Sequence, residues 1–185
     1  MNRTRLLALA FLPVALVQLA LPALRIRAYE QTLREGRACK FRTAPVDPYD
    51  AFRGRYVALS FEATSATWSE KEPPNHGKKI FALVETGPDG FAHFTTASPN
   101  RPASGDYLEV KAGYSSDANA VRVEVPFDRF YMAEKLAPKA EQVYRQHSAN
   151  RGERDAYAIV RIRAGLGVIE QVFVGDQPLA EAARQ

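Results

Sequence analysis

The sequence predicts a mainly β fold, an antiparallel sheet curled or closed into a barrel-like form, with one amphipathic helix and an N-terminal transmembrane helix in front of it. Three observations lead there. The run from Leu6 to Leu24 carries no charge. Beyond it, five to eight short segments alternate apolar and polar residues between turns rich in glycine and proline. A single stretch, opening at Pro138, has apolar residues at helical spacing.

The apolar run reads LLALAFLPVALVQLALPAL, flanked by Arg3 and Arg5 before and by Arg25 and Arg27 after. A bilayer core of about 30 Å needs roughly 20 apolar residues in helix, so the run is long enough to span and longer than an ordinary core helix. Pro13 removes a backbone donor, and Pro22 sits where the spanning segment would end. Leu21 and Ala23 loosely satisfy the small-residue rule for signal cleavage. Arg25 and Arg27 directly behind them make a poor mature start, so an uncleaved signal anchor is the expectation. Two signals bear on orientation. Arg25, Arg27, Arg34 and Arg37 outnumber the basic residues of the N-terminal tail, which by counting alone leaves the domain in the cytoplasm. A charged stub followed at once by a long apolar run is how signal anchors begin, which places the domain outside; this second reading is preferred.

Ala28 to Arg37 reads as a polar helical extension closing at Gly36, a spacer. Cys39 to Thr43 is a short strand. In the next stretch, Asp47 can cap the turn that Pro48 opens, and Gly54 can supply the left-handed residue that closes it. Tyr56 to Glu62 then alternates, with Val57, Leu59 and Phe61 on one face and Tyr56, Ala58 and Ser60 on the other. Ala63 to Lys78, with Pro73, Pro74 and Gly77, has no period and reads as a loop. Lys79 to Glu85 and Phe91 to Thr96 form a hairpin around Thr86-Gly-Pro-Asp-Gly90, and Tyr107 to Ala112 pairs with Ala120 to Val125. Leu136, Ala140, Val143 and Tyr144 line one face of the helix, which runs to about Ser148 before Asn150-Arg151-Gly152. Tyr157 to Arg163 and Val168 to Val174 make a last hairpin around Gly165-Leu-Gly167, and Gly175 to Leu179 turns away into an alanine-rich tail. The domain division that follows is an anchor over 1–27, a spacer over 28–39, a β-rich domain over 40–180 and a tail over 181–185.

The formal charge of +4 invites a nucleic-acid reading. The arginines flanking the apolar run account for it, and the remainder is balanced, so no electrostatic footprint for a polyanion is left and no nucleic-acid partner is expected. Cys39 is the single cysteine and can form no internal disulfide, which leaves the compartment open.

The stretch from Lys40 to Glu62 carries the resemblance. Pro45-Val46-Asp47-Pro48 and Phe52-Arg53-Gly54, followed by Gly54-Arg55-Tyr56-Val57-Ala58-Leu59-Ser60-Phe61, resemble the GDYXXLXY family of small membrane-anchored bacterial proteins. That family has a Gly-Asp-Tyr strand start behind a Pro-Val-Asp-Pro turn and Phe-Arg. Gly54, Tyr56 and Leu59 agree; Arg55 replaces the family aspartate and Phe61 the last tyrosine. Phe130-Tyr131-Met132-Ala133-Glu134 and the closing Val174 to Leu179 are weaker echoes, while the literal Gly105-Asp106-Tyr107 lacks the preceding turn. The resemblance implies a membrane-anchored bacterial protein and points to a multi-spanning membrane protein as partner beside the lipid bilayer itself; taken with the signal-anchor reading, the expectation is a single span in the inner membrane with the domain facing the periplasm. It supplies no catalytic residues.

Candidate chemistry is sparse. Asp47 and Asp50 offer an acid pair or a cation site, but the preferred reading is that Asp47 caps a turn and Asp50 pairs with a nearby arginine; Arg55 in place of an acid argues against a general base there. His76, His93 and His147 have no metal-ligand spacing, and no metal or cofactor is expected. Ser60 with Lys78 or Lys79 provides the atoms of a serine–lysine peptidase without its sequence context. The function expected is that of an accessory or interaction protein without catalysis, the alternative being a membrane-anchored hydrolase or peptidase.

Overall fold

The computed structural model describes residues 3–44, 56–114, 119–148 and 154–184. In chain order its elements are α1 (Arg3–Glu35), β1 (Arg37–Ala44), β2 (Tyr56–Ala58), β3 (Ser60–Phe61), β4 (Ser65–Trp68), β5 (Lys79–Thr86), β6 (Ala92–Ser98), β7 (Tyr107–Ala112), β8 (Ala120–Glu124), β9 (Arg129–Tyr131), α2 (Ala137–Ser148), β10 (Ala156–Arg163), β11 (Leu166–Val174), β12 (Gln177–Pro178) and α3 (Leu179–Ala182).

Helix α1 takes in the apolar run and the polar extension as one element. Pro22 therefore lies inside it, not at an end, because Arg25 to Glu35 are good helix formers that continue the same ladder. Phe11–Glu35 is long and apolar enough, by length and composition, to cross a membrane, and none of its most apolar window is buried in the protein. Gly36 ends the helix. A Cβ there would stand 2.4 Å from the Thr32 carbonyl oxygen and 3.1 Å from that of Ile162, so only glycine lets the chain pass this close to the sheet as it turns into β1. Thr32, whose hydroxyl donates to the Ala28 carbonyl at 2.9 Å, is buried at the same contact, and Arg163 pairs with Glu35 at 3.2 Å.

Five strands, in the order β12-β11-β10-β1-β3, form one sheet; β4-β6-β5-β7-β8 close a small barrel; β2 and β9 form a separate two-stranded ribbon. The expected hairpins are present: β5 pairs antiparallel with β6, β7 with β8, and β10 with β11; β10 ends at Arg163 as expected, and β11 starts two residues nearer the turn than the glycines indicated. Three features differ from the sequence reading. The stretch taken as an unbroken loop contains β4, whose alternation of exposed Ser65 and Thr67 with buried Ala66 and Trp68 is too short to show a period. That strand closes the barrel by pairing parallel with β6, the exception to the antiparallel rule. The strand from Tyr56 is divided at Leu59: β2 pairs with β9, which was not anticipated, and β3 pairs with β1. The strands of the described residues thus outnumber the five to eight expected, several being two or three residues long.

Alternation on the long strands fills a shared core. In β10, Ala156, Ala158, Val160 and Ile162 point inward, and in β5, Ile80, Ala82 and Val84 do the same. Sheet and barrel meet at a cluster of four rings: Phe41 lies 6.0 Å from Phe61, 5.9 Å from Phe94 and 6.3 Å from Phe127, and Phe61 lies 5.5 Å from Phe127. Gly167 is what lets Phe127 in, since a Cβ at that position would be 2.4 Å from the Phe127 ring. Helix α2 covers β2, with Ala137, Ala140 and Tyr144 buried, and at the C-terminus Leu179 and Ala183 are buried in the same core.

Candidate functional site

Of the residues that carry the family resemblance, Pro45, Val46, Asp47, Pro48, Phe52, Arg53, Gly54 and Arg55 lie outside the described residues, as does Asp50. Tyr56, Leu59 and Phe61 are described, and they show how the stretch is built into the fold. Leu59 and Phe61 are buried with Val57, and the Leu59 amide donates to the Asp128 carbonyl at 2.8 Å where the strand switches partner. Below β3 lies a buried polar knot. The Thr43 hydroxyl donates to the Ala156 carbonyl at 2.9 Å, and the Tyr144 hydroxyl donates to the Ala44 carbonyl at 3.3 Å. Burial pushes the Tyr144 phenol above its ordinary pKa, opposed by hydrogen bonds from Thr43, the Ser60 backbone and Ser148. The backbone at the mouth of the stretch is thus held by side chains from β1 and α2, a structural use of the hydroxyls that sequence spacing alone did not reveal.

The outward face of β2 is different. Tyr56 stands opposite Tyr131, ring centroids 5.7 Å apart, and the Arg129 guanidinium lies 5.1 Å over the Tyr56 ring. A hydrogen bond with Tyr131 and the charge of Asp128 hold that guanidinium firmly protonated. Beside this cluster runs an open groove of about 680 Å³, lined by Tyr29 of α1, Arg129, Phe130 and Tyr131 of β9, and Ile169 and Glu170 of β11. Its carboxylates are occupied: Asp128 lies 3.6 Å from Arg129, and Glu170 accepts from Arg161 at 2.7 Å. Sequence reasoning missed Tyr29, Arg129 and Tyr131 as a group, because only the pairing of β9 with β2 brings them together. The one signal available was Phe130-Tyr131, noted as an echo of the family.

Ser60 lines a separate groove of about 370 Å³ with Thr64, Tyr114, Arg122 and Glu124. Neither Lys78 nor Lys79 lines it; Lys79 reaches Glu109 at 2.7 Å beside another depression. The three histidines are dispersed. His76 stacks on Tyr114 at 4.1 Å and approaches Glu124 at 3.4 Å, His93 sits on β6, and His147 meets Asp155 at 2.8 Å across the end of α2. Among the described residues no group of three or more His, Cys, Asp or Glu is placed to hold a metal ion. Cys39 is buried, and that burial raises its thiol pKa, the reverse of what a reactive cysteine needs. Asp106, of the literal Gly-Asp-Tyr, pairs with Arg37 at 2.5 Å at the start of β1.

A family profile described as GDYXXLXY protein matches residues 18–172. No curated protein matches the chain, and no solved structure does.

Proposed function

The chain belongs to the GDYXXLXY protein family, and on that footing we propose that it is a single-pass accessory protein whose β-rich domain works on the periplasmic face of a bacterial inner membrane through an integral membrane partner, without catalysis of its own. The observation that carries this reading is the way the apolar helix enters the domain. α1 does not end at the membrane in a flexible tether; it continues to Glu35, buries Thr32 and packs against β10 and β11 before turning at Gly36. A domain held this rigidly at a fixed height suits contact with a neighbour in the same bilayer.

The partner is a multi-spanning membrane protein, the class that the family resemblance implies. Crosslinking in native membranes is expected to recover the chain joined to such a protein. Recovery of the monomer alone, together with rescue of a deletion strain by the domain without its anchor, would count against the proposal.

A further inference from the structure

The direction of α1 relative to the sheet fixes which end of the domain looks back at the bilayer. From Tyr29 to Glu35 the helix advances about 9 Å. Over that distance its neighbours on the sheet change from Ile169 and Glu170, which share a groove with Tyr29, to Arg163, which pairs with Glu35 and stands opposite Leu166. From Ile169 back to Leu166 a strand covers about 10 Å, so the helix and β11 run close to antiparallel. Strand β1 starts at the far end, at Arg37 opposite Ile162, and returns toward the membrane as it approaches Ala44. Ser60 pairs with Ala44, and Tyr56 to Ala58 precede it, further along the same return path.

The β2–β9 ribbon therefore lies on the membrane side. Tyr29 gives the height: it follows Leu24 by five residues, about 7.5 Å of helix, which is within the headgroup layer. Tyr131 lines the same groove as Tyr29 and is 65% exposed. Apart from α1, the only other large hydrophobic side chain so exposed among the described residues is Tyr114.

We propose that Tyr56, Arg129 and Tyr131, with Tyr29 behind them, seat the domain on the polar headgroup layer of the bilayer that α1 crosses. The chemistry fits lipid on two counts. Tyrosine has a ring for the acyl boundary and a hydroxyl for the wet side, and is enriched at this depth. Arg129 presents a permanently charged fork for lipid phosphate, held in place by the Tyr56 ring it lies over and by a hydrogen bond with Tyr131. Of the groove's carboxylates, Glu170 is held by Arg161 at 2.7 Å, and Asp128 lies 3.6 Å from the Nε of Arg129. The inference rests on the anchor reading of α1, and the test separates the two.

The experiment uses the full chain in nanodiscs of phosphatidylethanolamine and phosphatidylglycerol, labelled with a fluorophore at one introduced cysteine; Cys39 is buried and stays unlabelled. Quenchers are lipids spin-labelled at the headgroup or deep in the acyl chain. Leu16→Cys reports on the anchor, Tyr131→Cys and Arg129→Cys on the seat, and Ser104→Cys on the opposite end beside Asp106. The expected result is loss of emission at 16 with the deep quencher, loss at 131 and 129 with the headgroup quencher, and none at 104. Emission at 131 and 129 as bright as at 104, with 16 quenched, would overturn the seat and leave the anchor standing. An unquenched label at 16 would overturn both. Dimming at 131 that requires added membrane protein would assign the face to a protein partner and overturn the lipid reading.

Discussion

Replacing Gly36 by alanine tests whether the anchor helix and the sheet are locked together. The new methyl group would stand 2.4 Å from the Thr32 oxygen and 3.1 Å from the Ile162 oxygen, both backbone atoms that cannot rotate aside, and 3.2 Å from the Arg161 Cβ. Relief requires the end of α1 to lift from β10, and overpacking of this kind costs roughly 1–3 kcal/mol. For a domain of this size each kcal/mol lowers Tm by about 2–4 °C, so the expected fall is roughly 2–12 °C. Trp68 is the natural probe: it is the only tryptophan, it is buried in the barrel, and its indole nitrogen donates to the Glu72 carbonyl at 2.7 Å. The assay is thermal unfolding of the full chain in detergent, followed by Trp68 fluorescence. Gly77→Ala serves as the comparison, because its φ of +77° brings backbone strain while nothing lies within 4 Å of the added carbon. A Gly36→Ala protein that melts within about 1 °C of the parent would refute the reasoning, since no clash of that size can be relieved without moving the joint.

Three further outcomes follow from the same structure. Tyr144→Phe removes the hydroxyl at the centre of the knot beneath β3 and is expected to cost about 1–3 kcal/mol in urea unfolding. Because burial raises the folded-state pKa of Tyr144, its contribution to stability is fully present below the unfolded value near 10 and is lost as pH rises through the folded value. The variant should therefore show a shallower alkaline limb, not an absent one, since Tyr157 is shifted in the same direction. Phe41→Ala empties the middle of the four-ring cluster and is expected to cost about 3–5 kcal/mol by the same titration. Lys79→Ala breaks an exposed pair with Glu109 and should change stability by less than about 1 kcal/mol and leave function intact; loss of function would restore the serine–lysine alternative.

What the sequence made legible was what depends on neighbours along the chain. The apolar run, the hairpin at Gly87 to Gly90, the alternation of Tyr107 to Ala112 and the helix opening beside Pro138 each bear their pattern within a dozen residues. What depends on distant pairing was not legible. β4 and β9 are too short to alternate visibly, and each exists because a partner far along the chain satisfies its backbone: β8 and β6 for the one, β2 for the other. The exposed cluster followed the same rule. Arg129 and Tyr131 have no local signature, and their meaning comes from standing opposite Ala58 and Tyr56 in register and beside Tyr29 in space. The C-terminal residues taken as a tail include Ala183, which is buried; a run of alanines carries no sign of whether a core receives it. Ser60 and Lys79, paired as candidate atoms on residue type alone, line different depressions.

The proposed outward-facing, anchored domain is tested most directly by a single labelling measurement. Ser104 is exposed at the end of the domain away from the proposed seat, so Ser104→Cys in the full chain offers a reactive thiol, while Cys39 remains buried. Intact spheroplasts treated with a membrane-impermeant maleimide are expected to label position 104 without lysis. Labelling that appears only after the membrane is broken would put the domain in the cytoplasm and contradict the account.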